Sequence, residues 1–432
     1  MATTYLDKTF GSAGNRKTWT WSAWVKLSST SGTFSMLSAR NSTADAIRIS
    51  LPSQSFEVLS ENAGVVFLST NRLFRDVSAW YHLVVEVDTT QATASNRVKM
   101  YVNGVQETSF STGTYPSQNY DFANLNNSVS HKIGQDNSSQ YFDGSMTHIH
   151  FIDGTAYDAD TFGETDATTG IWKPKTAPSV TYGTNGFFLK GENSGALGTD
   201  SSGEGNDFTV NGTPTQTVDT PSNVFATWNP LGNSNGGVLP TFSNGNTTSD
   251  NANGGTYSNS KSTFGVSKGK YYCEAKVSLS SAQGWFGLAP DDDYAEVANT
   301  YLYENSGTFG GSAYGNAYVT NDILQLAFDA NTGTVWFGIN GTWQNSATQT
   351  EIENGTTSNS AVTGLDMSKY WHIANKGFSS AIYYANFGNG FFGTTAVASA
   401  TTDESGLGIF EYDVPTGYYA LCTKNINEQE YS

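Results

Sequence analysis

Two carboxylates stand at alternate positions of one strand-like run, WYHLVVEVD, as Glu86 and Asp88. Alternation along a β-strand puts both side chains on one face of a sheet. Two neighbouring carboxyl groups are what glycoside hydrolysis needs as general acid and nucleophile. The residues that follow, TTQ, supply no further carboxylate at that spacing. The pattern therefore favours a solvated strand face at Glu86 and a turn-capping aspartate at Asp88, and we expect no enzyme and no catalytic residues.

Histidines offer the next possible chemistry. His148 and His150 alternate in MTHIHFID, a spacing that could bring two imidazoles to one metal ion, but no third ligand is evident. His82 and His372 each follow an aromatic residue and open a strand-like run, which favours packing. No serine has a triad signature, and no glycine-rich loop has a phosphate-binding pattern. The sequence therefore encodes no recognisable active site.

A glycine-rich loop near residue 200, GTDSSGEGNDF, places oxygen-bearing side chains at alternate positions. These candidate calcium ligands are Asp200, Ser202, Glu204 and Asn206. Hard cations such as calcium prefer oxygen ligands of this kind. The loop lacks a full D-x-D-x-D-G pattern, and hydrogen bonding within Asx turns would explain the same residues. Both interpretations stay open from the sequence.

Loops in the second half of the chain combine aromatic and acidic residues. The candidates for contact with a ligand are Trp285, Asp291, Asp292, Tyr294 and Tyr301. Aromatic rings can stack on sugars, and carboxylates can accept hydrogen bonds from hydroxyl groups. A solvated loop would explain the acidic run DDDYAE as well. Together these residues suit a surface that binds a glycan or another protein, and the sequence does not choose between the two.

Bulk properties restrict the partners. The 432 residues carry a net charge of −18 with only 21 basic residues, which argues against nucleic acid or an anionic membrane as the partner. No apolar run approaches the ~18 residues that span a bilayer. No signal peptide is evident, so we expect assembly in a cytoplasm without membrane insertion. Cys273 and Cys422 lie in apolar runs and are expected to be buried thiols, with a disulfide as the alternative.

Strand patterns occur throughout, and one arrangement occurs twice. The runs WYHLVVEVDTTQATASNRVKMYVNGVQ (80–106) and NDILQLAFDANTGTVWFGINGTWQ (321–344) share the order strand, Asp, turn, strand, Asn-Gly. Asn-Gly supplies the two positive φ angles of a type I′ hairpin turn. Two such meanders more than two hundred residues apart predict two β-sandwiches in tandem, an all-β fold.

Several motifs resemble known domains. TWTWSAWVKL, the first meander and DSSGEGNDFTVNG are similar to the concanavalin A-like lectin/glucanase superfamily in its laminin-G-like branch. In that branch the D-S-S-G-x-G-N-D loop often opens the domain, whereas here it closes it, as in a circular permutation. The resemblance also implies calcium near a sandwich rim. SKSTFGVSKGKYYCEAKV, GWFGLAP and IYYANFG resemble SPRY domains, which are also β-sandwiches.

These resemblances give a domain map. We expect a laminin-G-like sandwich at 1–212, a linker at 213–233, a SPRY-like sandwich at 234–423 and a fraying polar tail at 424–432.

The order of these parts resembles structural proteins of marine tailed bacteriophages. That resemblance implies a virion surface protein, a tail fibre or adhesin, assembled in the host cytoplasm as a homo-oligomer and contacting other virion proteins. Its lectin-like domains would attach to host-surface glycans or a receptor. The alternative is a capsid decoration or fibre subunit that mainly binds other virion proteins. A glycan hydrolase is the remote alternative.

Overall fold

The computed structural model describes residues 3–42, 45–60, 67–167, 170–232, 239–251, 257–279, 283–292 and 301–431. Strands account for 46% of the chain and helices for 5%, which confirms the all-β prediction. The chain divides into two compact units. The first comprises Met1–Gln216 with Thr220–Ser222, and the second comprises Thr217–Asp219 with Asn223–Ser432.

The first unit contains strands β1 to β16. Their bounds are β1 Tyr5–Thr9, β2 Thr18–Leu27, β3 Thr33–Ser42, β4 Asp45–Pro52, β5 Ser55–Ser60, β6 Phe67–Leu73, β7 Trp80–Asp88, β8 Val98–Val102, β9 Val105–Gln106, β10 Phe110–Thr114, β11 Ser130–Ile133, β12 Gly144–Asp153, β13 Gly163–Thr165, β14 Trp172–Pro174, β15 Phe187–Leu189 and β16 Thr209–Asn211. One sheet has eight strands in the order β10-β6-β5-β4-β3-β11-β1-β16. The second has six in the order β15-β12-β2-β7-β8-β9, and β13 pairs with β14.

The hydrophobic core of the first unit lies between its two large sheets. Alternation in β2 turns Trp19, Trp21 and Ala23 inward, where each is fully buried. Val85 of β7 and Met100 of β8 continue the same layer. Burial of a valine or methionine side chain such as Val85 or Met100 stabilises the fold by about 1.5–3 kcal/mol, so the alternation of β2, β7 and β8 fixes which face of the six-stranded sheet is internal.

The opposite face of the six-stranded sheet is also covered. Residues 155–182, which we name the cover segment (168 and 169 lie outside the described residues), pack on this face. Trp172 and Ala159 of the cover segment meet Val84 and Tyr101. Further clusters on this face involve Ile152, Tyr157, Phe162, Val180, Tyr182 and Phe188. The cover segment therefore buries polar as well as apolar residues of this face, among them Thr20, Ser22 and His82, each 0% exposed.

The second unit contains strands β17 to β34 and two helices. Their bounds are β17 Thr241–Ser243, β18 Thr248–Asp250, β19 Tyr257–Val266, β20 Lys270–Leu279, β21 Gln283–Pro290, β22 Leu302–Glu304, β23 Thr308–Phe309, β24 Ser312–Ala313, β25 Ile323–Asp329, β26 Thr334–Ile339, β27 Thr342–Trp343, α1 Gln349–Glu353, β28 Trp371–Phe378, β29 Ala381–Asn386, β30 Phe391–Phe392, β31 Thr395–Ala396, β32 Thr401–Thr402, β33 Ile409–Phe410, β34 Tyr419–Ala420 and α2 Thr423–Tyr431.

Two packed sheets also form the second unit. The larger has the order β17-β18-β29-β20-β25-β26-β27, with β34 pairing in parallel with β20, and the smaller has the order β19-β28-β21-β22-β23-β24. Phe286, Phe328 and Tyr383 are fully buried between them. Cys273 and Cys422 are free, buried thiols, as predicted from their apolar surroundings.

The predicted fraying tail is wrong. Residues Thr423–Tyr431 form the helix α2, and the side chain of Ile426 packs against the core of the second unit. Asn425 is fully buried, and its Nδ2 donates to the Asp403 carboxylate and to the Ala420 carbonyl, both at 3.0 Å. The tail appeared polar because its anchor is a buried amide, which composition does not distinguish from an exposed one.

The predicted linker at 213–233 is too long. Phe225 and Trp228 are buried in the second unit. The N–H of Ala226 donates to the Leu421 carbonyl at 2.9 Å, and the N–H of Trp228 donates to the Asn246 carbonyl at 2.8 Å. The polar run with two prolines at 213–223 ends where the continuous part of the second unit begins, at Asn223, so only the extension of the linker to residue 233 is wrong.

Candidate functional site

Glu86, the carboxylate nearest to a catalytic pattern, is held by its neighbours. Its Oε1 lies 2.8 Å from the Lys99 ammonium, and its Oε2 accepts a hydrogen bond from the Tyr101 hydroxyl at 2.5 Å. Its side chain is only 12% exposed, so the predicted solvated face is wrong here. Asp88 does cap its turn, because Oδ1 accepts from the N–H and hydroxyl of Thr90. This pair therefore serves structure.

His82 lies in the middle of a stacked aromatic column beneath the cover segment. Trp24 stacks on its ring at 4.9 Å, and Trp172 stacks on it at 5.9 Å. The Trp172 indole N–H donates to His82 Nδ1 at 3.1 Å. Because an indole can only donate, Nε2 carries the proton and donates to Ser22 Oγ at 2.8 Å. His82 therefore gives a hydrogen bond to the serine, the reverse of a base that activates a nucleophile.

The His148–His150 alternation is broken in the structure. The register between β12 and β2 shifts between Thr147 and His150, and His148 adopts a φ of 47° at this bulge. His150 is buried, stacks on Phe188 at 3.9 Å and shares a hydrogen bond with the Tyr182 hydroxyl at 3.0 Å. Within the described ranges, no group of three His, Cys, Asp or Glu side chains could hold a metal ion.

Asp200 organises the predicted calcium loop. Its Oδ1 accepts from the N–H groups of Phe188 and Ser202, each at 2.8 Å. Its Oδ2 accepts from Ser202 Oγ at 2.7 Å and from the Asn206 N–H at 2.8 Å. Four donors therefore point at this carboxylate, an arrangement that favours the Asx-turn interpretation. Calcium binding here stays a prediction.

The other candidate ligands of this loop do not converge on one point. Asn206 Nδ2 donates to the Thr184 and Gly186 carbonyls, both at 2.9 Å. Ser202 Oγ accepts from the N–H of Glu204 at 3.1 Å, while Glu204 itself is exposed. The loop is thereby attached to residues 184–188, and its amides and hydroxyls are used for that attachment.

The predicted ligand-contacting residues of the second unit separate onto two faces of one sheet. Trp285 is only 4% exposed and packs with Leu302 and Ala374 on the outer face of the six-stranded sheet. Tyr301 packs instead against the core, with its ring 4.9 Å from that of Trp371 and perpendicular to it. The structure therefore does not bring Trp285 and Tyr301 to a common surface.

The acidic members of this set lie where β21 ends. Asp292 is exposed and forms an ion pair with Lys369 at 2.7 Å, and the N–H of Asp291 donates to the Tyr370 carbonyl at 2.8 Å. Tyr294 lies outside the described residues. The solvated-loop interpretation fits Asp292, because an exposed ion pair contributes little to stability or binding.

A different polar site exists on the outer face of the eight-stranded sheet of the first unit. Residues 134–142, which we name the anchored loop, connect β11 to β12. Asp136 in this loop is 1% exposed. Arg40 donates to both of its oxygens, at 2.9 and 2.7 Å, and Arg48 donates to Oδ2 at 3.2 Å. Arg48 also donates to Gln140 Oε1 at 3.0 Å. Side chains of two strands, β3 and β4, therefore hold the loop on the sheet.

The tip of the anchored loop is a two-residue turn. Asn137 and Ser138 have φ angles of 47° and 57°, and the N–H of Ser139 donates to the Asp136 carbonyl at 3.0 Å. Gln140 also has a positive φ, 48°. Non-glycine residues adopt this conformation at a cost in free energy. The side chains of Asn137, Ser138 and Ser139 are exposed, so the turn presents amide and hydroxyl groups to solvent.

Two tyrosines lie beside the anchored loop. The rings of Tyr5 on β1 and Tyr141 are 6.4 Å apart with an interplanar angle of 50°, and both are partly exposed. Lys132 places its ammonium 4.7 Å from the Tyr5 ring centroid and donates to Gln135 Oε1 at 2.5 Å. The polar run QDNSSQ signals a turn, but the arginines that hold it are about ninety residues away, so sequence reasoning missed the site.

Known proteins show similarity to the first unit. A family model of laminin-G type, described as the concanavalin A-like lectin/glucanases superfamily, matches residues 3–161. This match supports the resemblance of the first unit to concanavalin A-like domains of laminin-G type over residues 3–161. No protein with a curated description matches the chain.

Solved structures give three further similarities. A heptameric pentraxin from Limulus polyphemus is 13% identical with a TM-score of 0.28, over 36% of this chain and 72% of that one. Domain 4 of the arabinanase AbnA from Geobacillus stearothermophilus, in complex with arabinotriose, is 16% identical with a TM-score of 0.25, over 33% and 64%. The SPRY domain of human HERC1 is 12% identical with a TM-score of 0.24, over 31% and 85%. Similarity at this level leaves function to the chain's own residues.

Proposed function

We propose that this chain is a non-enzymatic attachment protein of a virion surface, whose lectin-like first unit binds glycans or a receptor on the host. The observation that carries this proposal is that the Glu86 carboxylate is bound by its neighbours. Lys99 and Tyr101 occupy both of its oxygens, and the cover segment packs on the same sheet face. A general acid or nucleophile must reach the glycosidic bond. A carboxylate held in this way does not reach it, which favours a binding function over hydrolysis.

The virion role rests on the resemblance of the domain order to phage structural proteins. Cryo-electron microscopy of the particle that carries the chain tests it by showing where the chain lies and in how many copies. A few copies at the distal tail would support attachment. Absence of the chain from the particle would overturn the virion role.

A glycan array tests the binding role. Purified full-length protein is expected to bind a subset of glycans and to release no reducing sugar from them. Release of reducing sugar that persists in a Glu86→Gln variant would place an active site elsewhere and overturn the non-enzymatic proposal.

A structural virion protein is the second candidate. The observation that favours it is the edge strand β10 of the eight-stranded sheet in the first unit, which pairs only with β6 among the described strands and has four of its five residues exposed. Unpaired strand edges can add a strand from another chain. In the same micrographs, dozens to hundreds of copies on the capsid would favour this candidate.

A further inference from the structure

Resting on the proposed glycan-binding function, we infer that the anchored loop and the Tyr5–Tyr141 pair form the glycan site of the first unit, and that its ligand is an uncharged oligosaccharide. Two features define the site. The rings of Tyr5 and Tyr141 offer apolar surface, and the turn at Asn137 offers exposed amide and hydroxyl groups. A sugar presents the matching combination of apolar ring faces and hydroxyl groups.

The fold fixes this site from below. Asp136 is 1% exposed and accepts three hydrogen bonds from Arg40 and Arg48. Burying such charges carries a large desolvation penalty, so an ionic network is a poor device for stability alone. What it does supply is a fixed position for the turn at Asn137 and Ser138, and a ligand then orders few side chains when it binds.

The backbone conformation of the turn determines which residues present their side chains at the site. Asn137, Ser138 and Gln140 all have φ between 47° and 57°. Glycine would adopt these angles without strain, and the chain has many glycines in other turns. Other turns of the chain, such as Ser53–Gln54 and Ser379–Ser380, also have non-glycine residues at positive φ, so what this turn contributes to the site is its exposed side chains.

The charge of the site selects the ligand class. In the described part of this face, Arg40, Arg48 and Lys132 are matched by Asp7, Asp136 and Glu57. The local balance is neutral in a chain of net charge −18. A sulfated or uronic glycan would meet the repulsion of the whole chain without a local excess of cations.

Glu57 adds an acceptor at the far side of Arg48. It is 6% exposed, and its Oε1 lies 3.9 Å from the Arg48 guanidinium. Among the described residues no group donates a hydrogen bond to its carboxylate, whose pKa is raised by burial. A hydroxyl donor would satisfy this carboxylate, and an anionic ligand would not.

The test uses the full chain and an array in which each oligosaccharide appears in neutral, sulfated and uronic forms. Two variants probe the site: Tyr5→Ala/Tyr141→Ala, which removes the rings, and Asn137→Gly/Ser138→Gly, which removes the turn side chains. The second variant is expected to fold, because glycine relieves the positive φ angles. The matched controls are Asn119→Gly, at another exposed asparagine with a φ of 61°, and Tyr370→Ala, at a tyrosine that is 47% exposed.

We expect wild type and both controls to bind neutral oligosaccharides. Each site variant should lose at least tenfold in affinity. The melting temperature of the Asn137→Gly/Ser138→Gly variant should equal that of wild type. Wild-type affinity in both site variants would overturn the site and leave the proposed function standing. Binding of only the sulfated or uronic forms would overturn the ligand class. Absence of any glycan binding by wild type would overturn the glycan function itself.

Discussion

Asn103 and His82 exchange two hydrogen bonds across the first hairpin. The N–H of Asn103 donates to the His82 carbonyl at 2.9 Å, and Asn103 Oδ1 accepts from the His82 N–H at 2.8 Å. In the second unit, Asn340 exchanges the same two bonds with Ile323, both at 2.9 Å. Each asparagine thus uses its side chain in place of a backbone carbonyl, which extends the strand ladder into the turn.

These asparagine hydrogen bonds predict that an Asn→Asp substitution changes the free energy of unfolding differently in the two hairpins. Asn103→Asp keeps the acceptor and should change the free energy of unfolding by less than about 0.5 kcal/mol. Asn340→Asp should destabilise the protein by about 1–2 kcal/mol, because Asn340 Nδ2 donates to the Asp322 carboxylate at 2.7 Å and an aspartate there would repel it. Urea unfolding of both variants at pH 7 measures the difference. Equal effects would contradict the account.

The anchored loop predicts a large effect at Asp136. Asp136→Asn removes the buried carboxylate that accepts from Arg40 and Arg48 and should destabilise the first unit by about 3 kcal/mol. Asp121→Asn is the control, because Asp121 is 48% exposed and lies 3.8–4.0 Å from its cationic partners. Exposed pairs contribute about 0–1 kcal/mol. Calorimetric unfolding of the two variants compares these values, and similar losses would show that the network adds no stability.

Buried histidines in the first unit predict sensitivity to acid. Burial lowers the pKa of His131 to about 4 and that of His82 to about 3. In the unfolded chain a histidine titrates near 6.5. The unfolded chain therefore binds more protons below pH 6.5, and stability is lost as the pH falls from 6.5 towards 4.

Carbon-13 NMR of labelled histidines checks this directly. In the folded protein we expect the resonances of His82 and His131 to stay unchanged down to about pH 5, while urea-unfolded protein titrates near 6.5. Titration of His131 near 6.5 in the folded protein would contradict the prediction.

Glu274 in the second unit predicts that the free energy of unfolding changes with pH in the opposite direction. It is fully buried, and burial raises its pKa to about 7 although the N–H groups of Glu411 and Tyr412 donate to it at 2.9 Å. The folded state binds this proton more tightly than the unfolded one. The contribution of Glu274 is therefore greatest below pH 4.5 and is lost as the pH rises to about 7.

Urea unfolding at pH 4.5, 6 and 7.5 measures that pH dependence. Glu274→Gln should be less stable than wild type, because its NH2 group replaces one carboxylate oxygen and then faces the N–H of Glu411 or Tyr412. It should also lack the wild-type decrease in stability between pH 4.5 and 7. The exposed control Glu204→Gln should follow wild type throughout. A parallel pH dependence in wild type and Glu274→Gln would contradict the assignment.

The hydrogen bonds of Asp200 predict how the melting temperature responds to calcium. Asp200→Asn should lower the melting temperature, because the carboxylate accepts four hydrogen bonds. If these bonds alone hold the loop, calcium and a chelator should give the same melting temperature in wild type. A rise with calcium in wild type that disappears in Asp200→Asn would instead support the predicted calcium site.

Local patterns in the sequence determined the strands, the turns and the all-β class. Alternation in β2 and β8 identified the buried face, and Asn-Gly specified the two hairpins, whose φ angles are 49° and 83° at 103–104 and 50° and 80° at 340–341. These features depend on neighbours within a few residues, since strand periodicity and turn geometry are local properties.

Only the tertiary structure decided which polar residues share a surface. Trp285 and Tyr301 are sixteen residues apart but face opposite sides of one sheet, whereas Arg40 and Asp136 meet at 2.7 Å across ninety-six residues. The same holds for Glu86, whose partners buried it, and for Asn425, which anchors the final helix. Burial and long-range pairing arise from how the sheets stack, and that information is spread over the whole chain instead of lying in any one motif.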